Sequence, residues 1–150
     1  MSFTRVWIHA AWGTKYRYPY LTKEIKSKVI AHIKENAKTK NIYIDSINGH
    51  TEHLHCLICL SADTSIAKTL KLIKGESAYW INKQNLTREK FEWAIDYYAS
   101  SVSESHLGRV RTYIKNQEKH HTESSFTDNY EKFAVDANQD IITLDLSPEL

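Results

Sequence analysis

Cysteine is scarce in this chain: two residues in 150, Cys56 and Cys59, spaced three apart. That excludes a disulfide framework and fits a reducing, cytoplasmic setting. The stretch that carries them is rich in branched and apolar residues and reads as a strand. Residues three apart on a strand face opposite sides, so the pair forms neither a zinc knuckle nor a redox turn. Buried, reduced structural cysteines are expected instead. Charge of one sign is also lacking, since 20 Lys and Arg stand against 18 Asp and Glu for a formal net charge of +2. That total does not mark a nucleic-acid binder by itself, and any basic footprint must be sought on individual elements. No long hydrophobic run occurs. The apolar stretch over residues 6–12 contains His9 and runs straight into Lys15 and Arg17, so neither a signal peptide nor a membrane span is expected. A glycine-rich phosphate loop is missing, which leaves no nucleotide cofactor to expect. Internal repeats, low-complexity runs and any linker before Thr122 are missing too. A hydrophobic fraction of 41% supports one domain around one core.

Histidine, by contrast, is abundant, with eight residues, which favours metal or acid–base chemistry. Two of them organise the chain. The run Thr51-Glu52-His53-Leu54-His55-Cys56-Leu57-Ile58-Cys59-Leu60 puts His53 and His55 on one strand face, with Leu54, Cys56, Ile58 and Leu60 on the other. Two imidazoles on one face of a rigid strand can grip a metal ion.

The rest of the chain supplies a frame for that strand. Residues 3–12 are aromatic and branched and read as a first strand, with Val6, Ile8 and Ala10 on one face and Arg5, Trp7, His9 and Ala11 on the other; His9 reads as an ordinary strand residue. Gly13 and Pro19 bracket a loop in which Lys15 and Arg17 interleave with tyrosines, a composition suited to phosphates and stacked bases. Thr22 caps a helix running to about residue 40, whose buried stripe is Ile25, Val29, Ile33 and Ala37 and whose lysines face solvent. Residues 42–47 form a second strand, and Asn48-Gly49-His50 reads as the hairpin turn into the histidine strand. A second helix, capped within Asp63-Thr64-Ser65, extends to about residue 85 with Ile66, Leu70, Ile73, Trp80 and Ile81 on one side. Lys68, Lys71 and Lys74 form a stripe beside them that could track a phosphate backbone. Residues 91–101 read as a fourth strand. A third helix is expected over 103–121, with Leu107, Val110 and Ile114 as its apolar stripe. On a wheel of about 100° per residue, Tyr113 and Gln117 stack along one edge of that stripe. His106 and His120 fall near the same edge, His121 lies nearer the stripe, and Arg109 and Arg111 flank it. Residues 126–137 suit a last short helix, and the acidic tail beyond is weakly patterned.

Strand, helix, strand, strand, helix, strand is the order of ferredoxin-like (RRM-like) α+β domains: an antiparallel sheet with helices on one face and the other face open to a ligand or partner. The expected layout is one unit over 1–121, ending in a tyrosine-bearing helix, with 122–150 as its short helix and tail.

His53-Leu54-His55 followed by Tyr113-Ile114-Lys115-Asn116-Gln117 on a later helix resembles the single-tyrosine HUH transposases of bacterial and archaeal insertion sequences, which include the REP-associated tyrosine transposases. The resemblance spans about residues 3–135, and the segment 110–121 is similar to the family's tyrosine helix throughout. Glu52 departs mildly, since relatives often carry Asp there. The resemblance implies a metal-dependent transposase, a nuclease and strand transferase acting on single-stranded DNA with hairpin ends. It further implies Tyr113 as nucleophile leaving a 5′-phosphotyrosine link, His53, His55 and Gln117 as ligands of Mg²⁺ or Mn²⁺, and a homodimer in which one subunit's tyrosine helix can complete the other's histidine site.

The residue chemistry fits independently. A phenol with an unperturbed pKa of about 10 needs help to act as a nucleophile. A metal on His53 and His55 would activate and orient a phosphate, and Gln117, one turn from Tyr113, can offer it an amide oxygen. Other readings stay open. A non-catalytic module could hold strands or hairpins on its sheet. A zinc hydrolase could use His53 and His55 with His120 or His121, though no carboxylate base stands at helix spacing from a ligand. A replication initiator or relaxase of the same superfamily would usually be part of a longer chain.

Overall fold

The order of elements is β1 (Val6–Gly13), α1 (Lys23–Thr39), β2 (Tyr43–His50), β3 (His53–Leu60), α2 (Ile66–Lys83), β4 (Tyr98–Val102) and α3 (Leu107–Lys115), with single 3-10 turns at Lys15–Arg17 and Glu104–His106. The structure is a computed structural model and describes residues 2–117. The strands form one antiparallel sheet in the order β2-β3-β1-β4, the ferredoxin-like α+β arrangement.

β1 and β3 lie in the middle of the sheet and are covered on both faces, which is why they read as near-continuous apolar runs. On one face Ile8, Ala10 and Trp12 of β1 and Leu54, Cys56 and Ile58 of β3 pack with Val29 and Ile33 of α1 and Leu70, Ile73 and Ile81 of α2. This is the main core. On the other face Leu57 meets Leu107, Val110 and Ile114 of α3, with Trp7, Val102 and Tyr113 around them. That second face is therefore not left open: α3 lies on it, over the strands that carry the histidines. Cys56 and Cys59 are free thiols, and burial pushes the Cys56 thiol far up.

Both long helices start where expected. The Thr22 side chain accepts from the Ile25 N–H, and Ser65 accepts from the Lys68 N–H at 3.0 Å. Such caps satisfy donors that a first helical turn leaves orphaned. Val29, Ile33 and Ala37 are buried as their spacing predicts, and Ile25 is half-buried. Lys26 departs from its solvated neighbours: it is buried, and its Nζ donates to the Gly49 carbonyl at 3.0 Å.

Two expectations are corrected. Asn48-Gly49-His50 is not a turn. β2 runs through it, pairing Asn48 with His55, Gly49 with Leu54 and His50 with His53, and the chain reverses at Thr51-Glu52. Gly49 does not adopt a positive φ. Its lack of a side chain is needed for close approach instead, since a Cβ there would sit 2.0 Å from the His53 carbonyl oxygen. The fourth strand is also shorter than residues 91–101. Ala11 pairs with Tyr98, so an unbroken register would set Thr14 opposite Ile95, yet Thr14 bridges Trp93. Two extra residues thus bulge out, and Ile95 is 93% exposed. Lys74 Nζ clamps the bulge by donating to the carbonyls of Ala94 and Ile95 at 2.7 and 2.9 Å. Before it, Phe91 and Trp93 are buried core residues. Phe91 is fixed through both its N–H and its carbonyl to the Asn82 amide.

The third helix begins in the 3-10 turn and is helical over Leu107–Lys115, with Asn116 as C-cap. The expected extension to 121, the short helix over 126–137 and the tail lie outside the described residues. Among the described residues no helix is long and apolar enough to cross a membrane.

Candidate active site

Strand alternation on β3, one face of α3 and the residue just past its C-cap build the site. His53 and His55 emerge on the same face of β3, their ring centres 5.1 Å apart and nearly perpendicular at 82°. α3 brings Tyr113 edge-on to His55 at 5.4 Å between ring centres. One turn on, Gln117 puts its Oε1 at 3.1 Å from His53 Nε2, while its Nε2 donates to the Tyr113 carbonyl at 3.2 Å. That second bond fixes the orientation of the amide, because the group donating to a carbonyl must be the NH₂. The carbonyl end is therefore the one presented to His53. His53, His55 and Gln117 are 0%, 1% and 0% exposed, and Tyr113 is half-buried.

A metal ion fits this donor set. Two imidazoles and an amide oxygen suit a borderline divalent cation and leave positions for phosphate oxygens or water. The His53–Gln117 separation is close to the roughly 3 Å expected between adjacent ligands at about 2.1 Å from an octahedral ion. Among the described residues no group of three His, Cys, Asp or Glu side chains could hold an ion, and the Gln117 amide is the third donor that stands beside the histidine pair.

α3 is held over the sheet by polar bonds as well as by its apolar stripe. Arg111 makes a two-pronged contact with Asp45 of β2, Nε to Oδ1 and Nη2 to Oδ2, both 2.9 Å. This guanidinium holds the Asp45 carboxyl below the usual carboxylate range. Asn48 Nδ2 donates to the Lys115 carbonyl at 3.0 Å. An edge strand and a helix are thereby joined at both ends of the turn that carries Tyr113.

A strand histidine pair facing a helix that carries tyrosine and glutamine, on a ferredoxin-like sheet, is the arrangement against which the chain can be compared with known proteins. The family described as "Transposase IS200 like" matches residues 2–117. The chain belongs to this family. It is 24% identical over 115 residues to the ISDra2 transposase TnpA of Deinococcus radiodurans, covering 73% of this chain and 81% of that one. Two proteins of solved structure share the fold. A presumed transposase from Deinococcus radiodurans R1 superposes with a TM-score of 0.63 at 21% identity, covering 77% of this chain and 93% of that one. A REP-associated tyrosine transposase bound to a REP hairpin superposes with a TM-score of 0.61 at 14% identity, covering 81% and 72%.

The basic residues of this IS200-like transposase are dispersed. Lys15 is exposed and paired with Glu92 at 2.9 Å. Arg17, with Tyr16, Asp96 and Tyr97, lines an open cleft of about 350 Å³ at the end of β1. Tyr16 and Arg17 both hold positive φ, 57° and 58°, a conformation non-glycine residues seldom adopt. Lys68 and Lys71 are exposed on α2, which packs on the sheet face opposite the histidines. Lys74 does not complete a stripe with them, because its ammonium is engaged by the 94–96 carbonyls. Arg109 is exposed, and Arg111 faces Asp45. His120 and His121 lie outside the described residues.

His9 belongs to the site, although it reads as an ordinary strand residue from sequence. It is fully buried, with Nε2 at 2.9 Å from His55 Nδ1, and Tyr98 and Tyr113 meet its ring edge-on at 5.9 and 6.1 Å. Burial pushes its pKa down to about 3, so the ring is neutral at physiological pH. The signal was its face parity. His9 lies on the same β1 face as Ala11, and Ala11 pairs with His55; that register is what sequence alone does not supply.

Proposed function

We propose that this transposase cleaves and rejoins single-stranded DNA through a covalent link to Tyr113, using Mg²⁺ or Mn²⁺ held by His53, His55 and Gln117. The observation that carries the reading is the juxtaposition at the end of α3: Gln117 reaches His53 while Tyr113 stands beside His55. Tyr113 and Gln117 stand four residues apart and are tied by the bond from the Gln117 amide to the Tyr113 carbonyl, which lowers the entropic cost of bringing them to a phosphate together. A bound divalent ion would supply Lewis-acid polarisation of the scissile phosphate.

The chain's own residues do the rest. The Tyr113 oxygen is buried in the structure and is reached once the DNA strand enters the site; its proton passes to a water brought in with the strand, and the oxygen attacks phosphorus. The Oη–P bond forms as the P–O3′ bond breaks, the 3′ oxygen takes up a proton, and the 5′ phosphate stays on tyrosine. Attack by another 3′-OH reverses the sequence, and since each step exchanges one phosphodiester for another, no ATP is needed. The hairpin carried by the REP-associated relative supports DNA hairpins at element ends as the partner. Lys15, Arg17, Lys68, Lys71 and Arg109 are the proposed phosphate contacts, and a homodimer in the cytoplasm is the proposed form.

The test is a denaturation-resistant protein–DNA adduct formed with Mn²⁺ and labelled single-stranded DNA ending in a hairpin. Wild type should form it, EDTA should suppress it, and Tyr113→Phe should abolish it. An undiminished adduct with Tyr113→Phe refutes the nucleophile, and hairpin binding without any adduct would make the protein a binding module. His55→Ala should lose cleavage and keep hairpin binding, and light scattering should give a dimer at micromolar concentration.

A further inference from the structure

A neutral imidazole has one N–H and one lone pair, and which nitrogen carries the proton is set by what the other one meets. His55 Nδ1 lies 2.9 Å from the Nε2 of His9. The two rings lie within 22° of parallel with centres 5.0 Å apart, so they meet nitrogen to nitrogen, end to end, and not face to face. One proton lies between them. If His9 donates it, the His55 proton sits on Nε2 and that nitrogen cannot bind a cation. If His55 donates it, Nε2 keeps its lone pair.

We propose that His9 is a positioning residue that accepts the Nδ1–H of His55, fixing the His55 tautomer in which Nε2 carries the lone pair a metal ion needs. The inference rests on the metal reading above and adds a residue which that reading does not use. His9 is not a further ligand, because His9, His53 and His55 do not come together as a three-histidine site among the described residues. Its place is the one a carboxylate or carbonyl usually fills behind a metal-binding histidine, orienting the ring and raising its basicity. A carboxylate there would bring a full charge into a fully buried position. A neutral imidazole accepts the same proton without that desolvation cost.

The test reads the tautomer directly. In metal-free, ¹⁵N-histidine-labelled protein, long-range ¹H–¹⁵N spectra should show His55 protonated at Nδ1 with an unprotonated Nε2, and His9 unprotonated at Nε2. A His55 protonated at Nε2 overturns the proposal, whatever the variants do. Mn²⁺ affinity is then measured by electron paramagnetic resonance titration, with melting curves to verify folding. His9→Phe, which keeps a ring and loses the acceptor, should weaken Mn²⁺ binding about 10- to 100-fold. His9→Gln, which offers an amide oxygen, should recover most of it. Wild-type affinity in folded His9→Phe overturns the proposal. If wild type shows the assigned tautomer yet binds no Mn²⁺, the tautomer assignment stands and the metal reading falls.

Discussion

Gly49→Ala probes the local geometry that sets the position of His53. The added Cβ would meet the His53 carbonyl oxygen at 2.0 Å and the Leu54 Cα at 2.8 Å, and both are backbone atoms. No flexible side chain can move aside, so β2 and β3 must separate there by about an ångström, against a normal strand spacing of about 4.8 Å. Crowding a packed site costs about 1–3 kcal/mol, and two stretched ladder hydrogen bonds add about 1 kcal/mol each. The better strand propensity of alanine returns only about 0.5–1 kcal/mol. The net loss is about 2–4 kcal/mol, a fall of roughly 8–15 °C in Tm for a domain of this size. Because the displaced carbonyl belongs to His53, Mn²⁺ affinity should fall in the same variant. The assay is a calorimetric melt with an Mn²⁺ titration, run on Gly49→Ala and Gly49→Asn together. In a left-handed turn, asparagine is tolerated better than alanine. On a crowded strand the larger side chain costs at least as much as Ala. A Gly49→Asn protein clearly more stable than Gly49→Ala would refute the strand assignment and the clash argument with it.

The remaining tests concern how the site is held. The Asp45 carboxyl has a folded pKa below its unfolded value because Arg111 hydrogen-bonds it, so its contribution is present above the unfolded pKa of about 3.9 and is lost as pH falls through the lower folded value. Wild type should lose this contribution below about pH 4, whereas Asp45→Asn should start less stable at neutral pH and lack that part of the acid limb in a pH series of melts. Lys26→Met keeps the buried stem but removes the ammonium from the Gly49 carbonyl; an expected loss of about 1–3 kcal/mol is checked by urea unfolding. Gln117→Glu puts a carboxylate at a fully buried position beside His53, so it should melt lower without metal and gain more than wild type on adding Mn²⁺, as read by thermal shift.

Much of this was legible because strand alternation is robust. It put His53 and His55 together, sent Cys56 and Cys59 to opposite faces, and ordered the elements into the ferredoxin-like sheet. Helical spacing likewise placed Tyr113 and Gln117 on one edge. What failed depended on pairing across distance. Asn48-Gly49 carries a strong local turn signal, but the reversal is set by how far β2 and β3 can pair, and Gly49 is small for steric reasons that only its partner strand reveals. The 91–101 run has strand composition throughout, yet a two-residue register change splits it. Lys26 and Lys74 look like any surface lysine until the carbonyls they reach are known. His9 and Asp45 joined the site for the same reason: the first through the β1–β3 register, the second through the docking of α3 on β2.

The two faces of the central strands solve different problems with one backbone. Toward α1 and α2, β1 and β3 present branched and aromatic side chains whose burial stabilises the domain. Toward α3 they present imidazoles, which cost free energy when buried unless they are hydrogen-bonded. Gln117, just past the C-cap of α3, meets that need by bonding His53 with one end of its amide and the Tyr113 carbonyl with the other. β1 meets it through His9. Leu107, Val110 and Ile114 keep water away, and the Arg111–Asp45 fork and the Asn48–Lys115 bond set the height of the helix over the sheet. The bonds that make the buried histidines tolerable are therefore shared between β1, through His9, and the residue that follows the tyrosine helix, Gln117. Folding of α3 onto the sheet and assembly of the histidine–tyrosine cluster become a single event, so a chain that has docked this helix has already set Tyr113 beside His55.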